Sequence, residues 1–360
     1  MKLWNRYRKW ILWLISLAAF FAVYFSLRQS RTAMNRLCGR VLLPIEQGLG
    51  SFFGGLSISV AETVIISGLC AAFFGVVNFI RGMVTRPQKK ERVCRFCLSC
   101  LGVGLSVYAG FCLLWGTFYN TDSFQQRSGI TARGGTVAEL TALTEKFAGY
   151  VRDTAGAVHR NAAGQVELNV PQVLADSVKA YDALYGEFPF LAVPTAAPKA
   201  FTASRAMSAM DFTGFYFPFT GEANVNVDAP PVYLPATCCH EIAHQKGVSS
   251  EQECNFLGIL AALRSGDADF RYSGALMGYI YVSNALYAAD YDAWQAIRDT
   301  LPQETLRDLQ QQRDYWAQFE GPVKTVSTKV YDGFLKANGD KNGIHSYGTV
   351  VDLLLAYNIG

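Results

Sequence analysis

The chain has 360 residues, enough for a membrane region together with one sizeable domain that has its own core. Its formal net charge of +3 hides an uneven division: residues 1–119 carry 14 Lys/Arg against Glu46, Glu62 and Glu91, and residues 120–360 carry 18 against 26 acids. An acidic second part speaks against a nucleic-acid partner, whose binding surface is basic, and the basic residues of the first part flank apolar runs.

Three such runs fill the first part. Residues 10–27 hold no charge, 52–80 hold Glu62 alone, and 96–119 hold none. Each is long enough to cross a hydrocarbon core of about 30 Å as a helix. The first run has an alternative as a signal peptide, because Lys2, Arg6, Arg8 and Lys9 form a positive leader. Its length, Trp10 and Trp13 at an interface position and the lack of a clean small-residue cleavage site favour a span. The amino-terminal tail and the second loop together carry ten Lys/Arg, against four (Arg28, Arg31, Arg36, Arg40) in the first loop. This bias puts the tail and the second loop in the cytoplasm, and an odd number of spans then puts residues 120–360 outside. Glu62 reads either as a functional intramembrane acid or as a residue near an interface. Of nine cysteines, six lie in or beside the spans, so no disulfide framework is expected. Cys94, Cys97 and Cys100 have CxxCxxC spacing but no second ligand pair nearby, and they read as packing residues of an apolar helix.

In the second part, Val137, Leu140, Leu143, Phe147 and Tyr150 recur at helical spacing and predict an amphipathic helix over 136–150. A second helix is predicted over 171–185, with Pro189 as a stop, followed by a proline-broken loop over 190–198. His159 lies in a polar, loop-like stretch and reads as exposed. Residues 214–227, rich in aromatic and β-branched side chains and broken by Thr220 and Gly221, predict a strand, a turn and a second strand. A helix then carries the motif described next. The apolar run 274–288 is short for a span and predicts a buried helix, and further helices are expected over 301–319, 325–335 and 347–357. The predicted class is α+β, mainly helical, with a membrane region over 1–119 and one domain over 120–360.

Residues 235–247 contain His240, Glu241 and His244 in HExxH spacing. On a helix the two histidines lie one turn apart on one face, so both imidazoles can reach one ion at about 2.0–2.1 Å. Glu241 is rotated away from that pair and can act on a water at the ion without being a ligand. This is the equipment of zinc-assisted hydrolysis: Zn2+ polarises a carbonyl and acidifies water, and the carboxylate takes and returns the proton. A catalytic zinc also needs a third protein ligand and an open position. Gly247 can end the helix in a left-handed conformation and turn the chain back, and a following helical stretch then delivers Glu251 and Glu253. Either completes a His-His-Glu site. Ser250 and Glu253 are spaced as a capping box, which would spend Glu253 on backbone amides and favours Glu251 as the ligand.

These residues carry a resemblance. The stretch from Ser204 and Arg205 through residues 212–226, then Leu234-Pro235, His240 to Gln245, Ser250-Glu251, Asn255-Phe256, residues 335–339, Ser346 to Gly348 and residues 351–355 resembles the bacterial domain-of-unknown-function family 3810. The resemblance covers nearly the whole chain and implies a zincin-like metallopeptidase domain behind amino-terminal spans in a bacterial cell membrane. Residues 251–255 are also similar to the E-x-x-A-D segment of the membrane CaaX-protease-like peptidases, whose first Glu binds zinc and whose Asp supports a histidine. Asn255 stands at the Asp position here, and the seven-residue step from His244 to Glu251 is shorter than in those enzymes.

A zincin-like domain implies an edge strand that pairs with an extended peptide substrate, and residues 215–227 are the candidate, with Phe217, Thr220, Gly221, Ala223 and Asn224 facing the substrate. Tyr347 and His345 are the candidate donors to a developing oxyanion. The expected function is a membrane-anchored zinc peptidase acting on envelope or surface proteins; a binding or sensing module without turnover is the alternative, and the intact Glu241 favours the enzyme. The expected partners are the bilayer and a peptide or protein substrate.

Overall fold

The computed structural model describes residues 2–338 and 347–357. The chain opens with helix α1 (Lys2–Leu27), a short α2 (Arg31–Leu37), and α3 (Leu43–Gly54), and continues with α4 (Val60–Thr85) and α5 (Lys89–Phe111). It divides into two compact units, the first made of Met1–Glu46, Val60–Thr121 and Pro218–Thr220, the second of Gln47–Ser59, Asp122–Phe217 and Gly221–Gly360.

The first unit contains three helices long and apolar enough to cross a membrane, over Arg6–Leu27, Val60–Thr85 and Lys89–Gly116. α1 packs on α5 through small residues. Gly102 receives the ring of Trp13, where a Cβ would lie 2.5 Å from a ring carbon. The indole N–H groups of Trp10 and Trp13 donate to Ser99 Oγ at 3.0 Å and Ser106 Oγ at 3.1 Å. Close approach at small residues with hydrogen bonds between helices is how apolar helices associate without a hydrophobic drive.

The second span begins later than expected. Phe52 and Phe53 belong to α3, and the apolar run is broken over residues 55–59 before α4 starts at Val60. The break is held by Lys199, whose ammonium donates to the carbonyls of Phe53 and Ile58, both at 2.7 Å, and pairs with Glu222 at 2.7 Å. Residues 47–59 thus fold with the second unit. Glu62 lies in the first turn of α4, buried at the end of the span and away from its middle. The CxxCxxC cysteines stand free and exposed on α5.

The second unit continues with α6 (Phe124–Ser128), α7 (Val137–Ala155) and α8 (Val170–Asp176). α7 starts on a capping box in which Thr136 and Glu139 satisfy each other's backbone amides. The helix expected over 171–185 is two pieces: α8 stops at Asp176, and Lys179–Leu184 follows as a 3-10 helix. The hydroxyl of Ser177 at the junction donates to the carbonyl of Leu174 at 2.7 Å, the kind of local bond that competes with a continuing helix. His159 is exposed.

A small sheet and the remaining helices complete the unit. The elements are β1 (Lys199–Ala200), α9 (Ser204–Ala209), β2 (Gly214–Phe217), β3 (Glu222–Val225), α10 (Leu234–Gln245), α11 (Glu251–Leu263), α12 (Ala268–Ala289), α13 (Tyr291–Arg298), α14 (Gln303–Ala317), α15 (Pro322–Ala337) and α16 (Tyr347–Tyr357). The strand order is β1-β3-β2, with β1 parallel to β3 and β2 antiparallel to it in the register Gly214↔Val225 to Phe217↔Glu222. Gly221, at φ +66°, takes the turn into β3 in the left-handed region that glycine adopts freely.

The order of the strands corrects part of the substrate-facing assignment. Ala223 and Asn224 lie in the central strand and are fully buried, Asn224 paired with Lys199 of β1 and Phe215 of β2 and Ala223 with Tyr216 of β2, so they do not belong to an edge strand. The Asn224 carboxamide instead accepts a hydrogen bond from Ser59 Oγ at 2.6 Å. Phe217 belongs to β2, the edge strand, and Thr220 and Gly221 lie in the turn. The core gathers around the apolar run expected to be a buried helix. α12 packs along α7, with Phe147 seated on Gly278 so closely that a Cβ there would lie 2.0 Å from the ring. α10 is enclosed by α11, α12 and the sheet.

Candidate metal centre

α10 carries the HExxH residues. Pro235 in its first turn needs no hydrogen-bond partner for its nitrogen and suits a helix start. Tertiary partners reinforce its start and its middle: Ser273 Oγ of α12 accepts from the Ala236 amide at 3.1 Å, and the buried Tyr181 hydroxyl donates to the Cys239 carbonyl at 2.7 Å. From Leu234 to Gln245 every residue is buried except His240. Nothing in the local pattern points to Ser273 or Tyr181, which lie far away in sequence.

The turn after the helix does two things. Gly247 has φ +80°, as its place after the histidines predicts, and two bonds close the helix end: Gly247 N–H to the His244 carbonyl at 2.9 Å and Val248 N–H to the Ala243 carbonyl at 3.1 Å. These are the paired bonds of a Schellman motif. The turn also brings the Val248 carbonyl to His244 Nδ1 at 2.8 Å. A carbonyl only accepts, so Nδ1 carries a proton, and in the neutral imidazole Nε2 is then the nitrogen with the lone pair that a metal ion would take. His240 is oriented in the same way, donating from Nδ1 to Asn255 Oδ1 at 2.9 Å.

Both Nε2 atoms face one carboxylate. His240 Nε2 lies 3.3 Å from Glu251 Oε2, and His244 Nε2 lies 3.6 Å from Glu251 Oε1. One ligand atom from each of the three residues fits within 4.8 Å of the others. Ligands at about 2.1 Å around a tetrahedral ion stand about 3.4 Å apart, so this donor set and spacing fit a zinc-sized ion. Glu251 and Asn255 share a face of α11, and so does Gly258. A Cβ on Gly258 would come within 3.1 Å of the Ala236 carbonyl oxygen and the His240 nitrogen, so the glycine lets the two helices approach closely. The side chains of His240 and Glu251 are 12% and 20% exposed against 7% for His244, which places the opening of the site beside His240 and Glu251. Burial opposes ionisation of Glu251, yet the adjoining His244 and His240 hold its carboxyl well below the usual carboxylate range.

Glu241 faces the other way, onto the edge strand. A Cβ at Gly214 would lie 2.3 Å from its Oε1, so the absence of a side chain at the start of β2 leaves room for this carboxylate. Among the described residues its Oε2 is buried without a hydrogen-bond partner. Burial pushes the Glu241 carboxyl up to about 7, with the two histidines acting in the opposite sense. A group poised near neutrality is suited to accept and return a proton.

The alternative third ligand is engaged elsewhere. Ser250 makes no side-chain cap, and the Glu253 carboxylate reaches across to α6, accepting from the amides of Phe124 at 2.8 Å and Gln125 at 3.2 Å. The expected loss of Glu253 to backbone amides is therefore realised on a different helix. Cys254, fully buried, places Sγ 3.3 Å from His244 Nδ1 and from the Val248 carbonyl oxygen. Lys246, also fully buried, donates to the Leu191 carbonyl at 2.9 Å and to the Tyr185 hydroxyl at 3.0 Å, anchoring the end of α10; burial lowers its ammonium to about 8. Of the two candidate oxyanion donors, His345 lies outside the described residues, and Tyr347 is described only as backbone at the start of α16.

The fold and site define a mainly helical protein with three apolar helices near its amino terminus and a His-His-carboxylate cluster in its second unit. The chain belongs to DUF3810, a family described as protein of unknown function, whose pattern matches residues 40–355. No curated protein and no solved structure matches the chain.

Proposed function

We propose that this protein is a membrane-anchored, zinc-dependent peptidase with a zincin-like domain. The observation that carries this reading is the convergence of His240 Nε2, His244 Nε2 and the Glu251 carboxylate on one point, with both histidine Nδ1 atoms already committed to carbonyl oxygens. His240, His244 and Glu251 would hold the ion, and Asn255 and the Val248 carbonyl keep the rings in the binding tautomer. When bound, zinc supplies a Lewis acid and an acidified water. Glu241 is the general base: its Oε2 takes a proton from water and returns it to the leaving amine. β2 is the edge strand beside α10, and an extended peptide adding to that edge would lie along the strand that carries Gly214 and Phe217.

The binding experiment uses the purified full-length chain and elemental analysis. We expect one zinc per chain in the wild type and none above background in His240→Ala and His244→Ala. Full zinc occupancy in both variants would remove the site.

The ten-to-four bias in Lys/Arg supports residues 120–360 as extracytoplasmic in a bacterial cell membrane. Protease added to spheroplasts should then digest this region and spare the loop between α4 and α5. Cleavage of that loop with the second part protected would invert the topology.

A further inference from the structure

The first unit holds a second polar site, remote in sequence from the histidine motif. Between α4 and α5 lies a cavity of about 250 Å³, lined by Asn78 of α4, by Gln88 before α5, and by Glu91, Arg92, Arg95 and Ser99 of α5. Phe79 and Phe96 stack across it with ring centroids 4.2 Å apart, fixing the distance between the two helices. The cavity sits where the helices meet their connecting loop: Arg92 is in the first turns of α5, and Asn78 lies seven residues before the end of α4, about 10 Å along the axis at 1.5 Å per residue. That is the depth of lipid headgroups.

The charges in this cavity are not balanced. Arg95 is committed to Glu91 at 2.5 Å and stacks over the Trp10 ring at 5.7 Å, and Arg6 shares the same carboxylate at 3.1 Å. Arg92 has no such counter-ion: among the described residues its guanidinium has no hydrogen-bond or ion-pair partner, and its Nε is buried. It lies flat on Gly82, where a Cβ would come within 2.7 Å of its terminal nitrogen, so the glycine is what lets it sit there. A guanidinium with a buried, unanswered Nε–H and terminal nitrogens that pair with no carboxylate matches a phosphate in charge and in fork geometry.

We propose that this cavity binds the phosphate of an anionic phospholipid, with Arg92 as the principal donor and Asn78, Gln88 and Ser99 as supporting groups. A lipid fits better than a soluble anion because the phosphate would sit between two helices whose outer faces are apolar and exposed, so that acyl chains can run along them. Arg81 near the end of α4, Arg86 in the loop and Lys89 and Lys90 at the start of α5 add positive charge around the connection, which concentrates anionic lipid at the mouth of the cavity.

The test uses the full-length protein in a neutral detergent, with bound lipid counted by native mass spectrometry. Phosphatidylglycerol and phosphatidylcholine of identical chains are the probes. The wild type should hold phosphatidylglycerol about tenfold more tightly than phosphatidylcholine, because both bring a phosphate to Arg92 but the choline cation of the second offsets its charge beside the guanidinium. Arg92→Gln should abolish that preference, Arg92→Lys should keep part of it, and Gly82→Leu should abolish it while leaving the charge in place. Thermal unfolding identifies any variant that has lost its fold, and Arg92→Lys then carries the comparison. An unchanged preference in folded Arg92→Gln would overturn the assignment. So would complete displacement of the lipid from the wild type by millimolar inorganic phosphate, which would make the cavity a site for a soluble anion.

Discussion

Replacing Glu241 by Gln should leave zinc occupancy and thermal unfolding close to wild type and lower peptide cleavage by about 10²- to 10⁴-fold, the usual contribution of a general base. The amide is nearly isosteric with the carboxylate, and the room for it beside Gly214 is unchanged. Among the described residues Glu241 Oε2 has no hydrogen-bond partner to lose, and α10 is held by Ser273 at its start, Tyr181 at its middle and the Gly247 turn at its end. The amide, however, cannot accept a proton at neutral pH, so only the chemical step should suffer. The assay compares the two proteins on a peptide library or on the membrane proteome of the source cell. Equal cleavage by both would remove Glu241 from the mechanism. No cleavage by either, with zinc bound and the fold intact, would favour a binding or sensing module over an enzyme.

The parts of the site that are local in sequence were the legible ones. HExxH specifies which two side chains share a helix face, Gly247 marks the turn, and the short step to Glu251 limits where that carboxylate can go. All three features act within a dozen residues, where helical period and backbone sterics decide geometry. The strand-turn-strand reading of 214–227 held for the same reason, because alternation and the glycine turn are short-range signals. What the pattern could not carry was the identity of distant partners. Gly214 reads as a strand residue, yet its missing side chain is what accommodates Glu241. Lys199 carries no local signal, yet it is buried on the carbonyls of Phe53 at the end of α3 and Ile58 in the break that follows, and the helical span starts at Val60 and not at Phe52. Asn224 sat in a plausible substrate strand, but only the strand order reveals that β3 is central. Such facts are set by tertiary packing, which periodicity does not encode.

The two carboxylates that follow the turn should separate when each is replaced by its amide. Glu251→Gln removes a charged donor from the point where His240 and His244 converge, and zinc affinity should fall by more than about 100-fold, since even the loss of an outer-shell partner costs about 10- to 100-fold. Glu253→Gln should leave the zinc in place. Its effect should be on stability, because the carboxylate accepts two main-chain amides at the start of α6, and an amide nitrogen turned toward either of them would set donor against donor. Hydrogen bonds to a charged group are worth about 1.5–3 kcal/mol, so a loss of about 2 kcal/mol is expected, a fall in Tm of roughly 4–8 °C for a domain of this size. The two measurements are zinc competition against a chelator and thermal unfolding of the zinc-loaded protein. Weakened zinc binding in Glu253→Gln with Glu251→Gln unaffected would exchange the roles, and would mean that α11 presents its first turn to the histidines in a different rotation from the one that places Asn255 on His240.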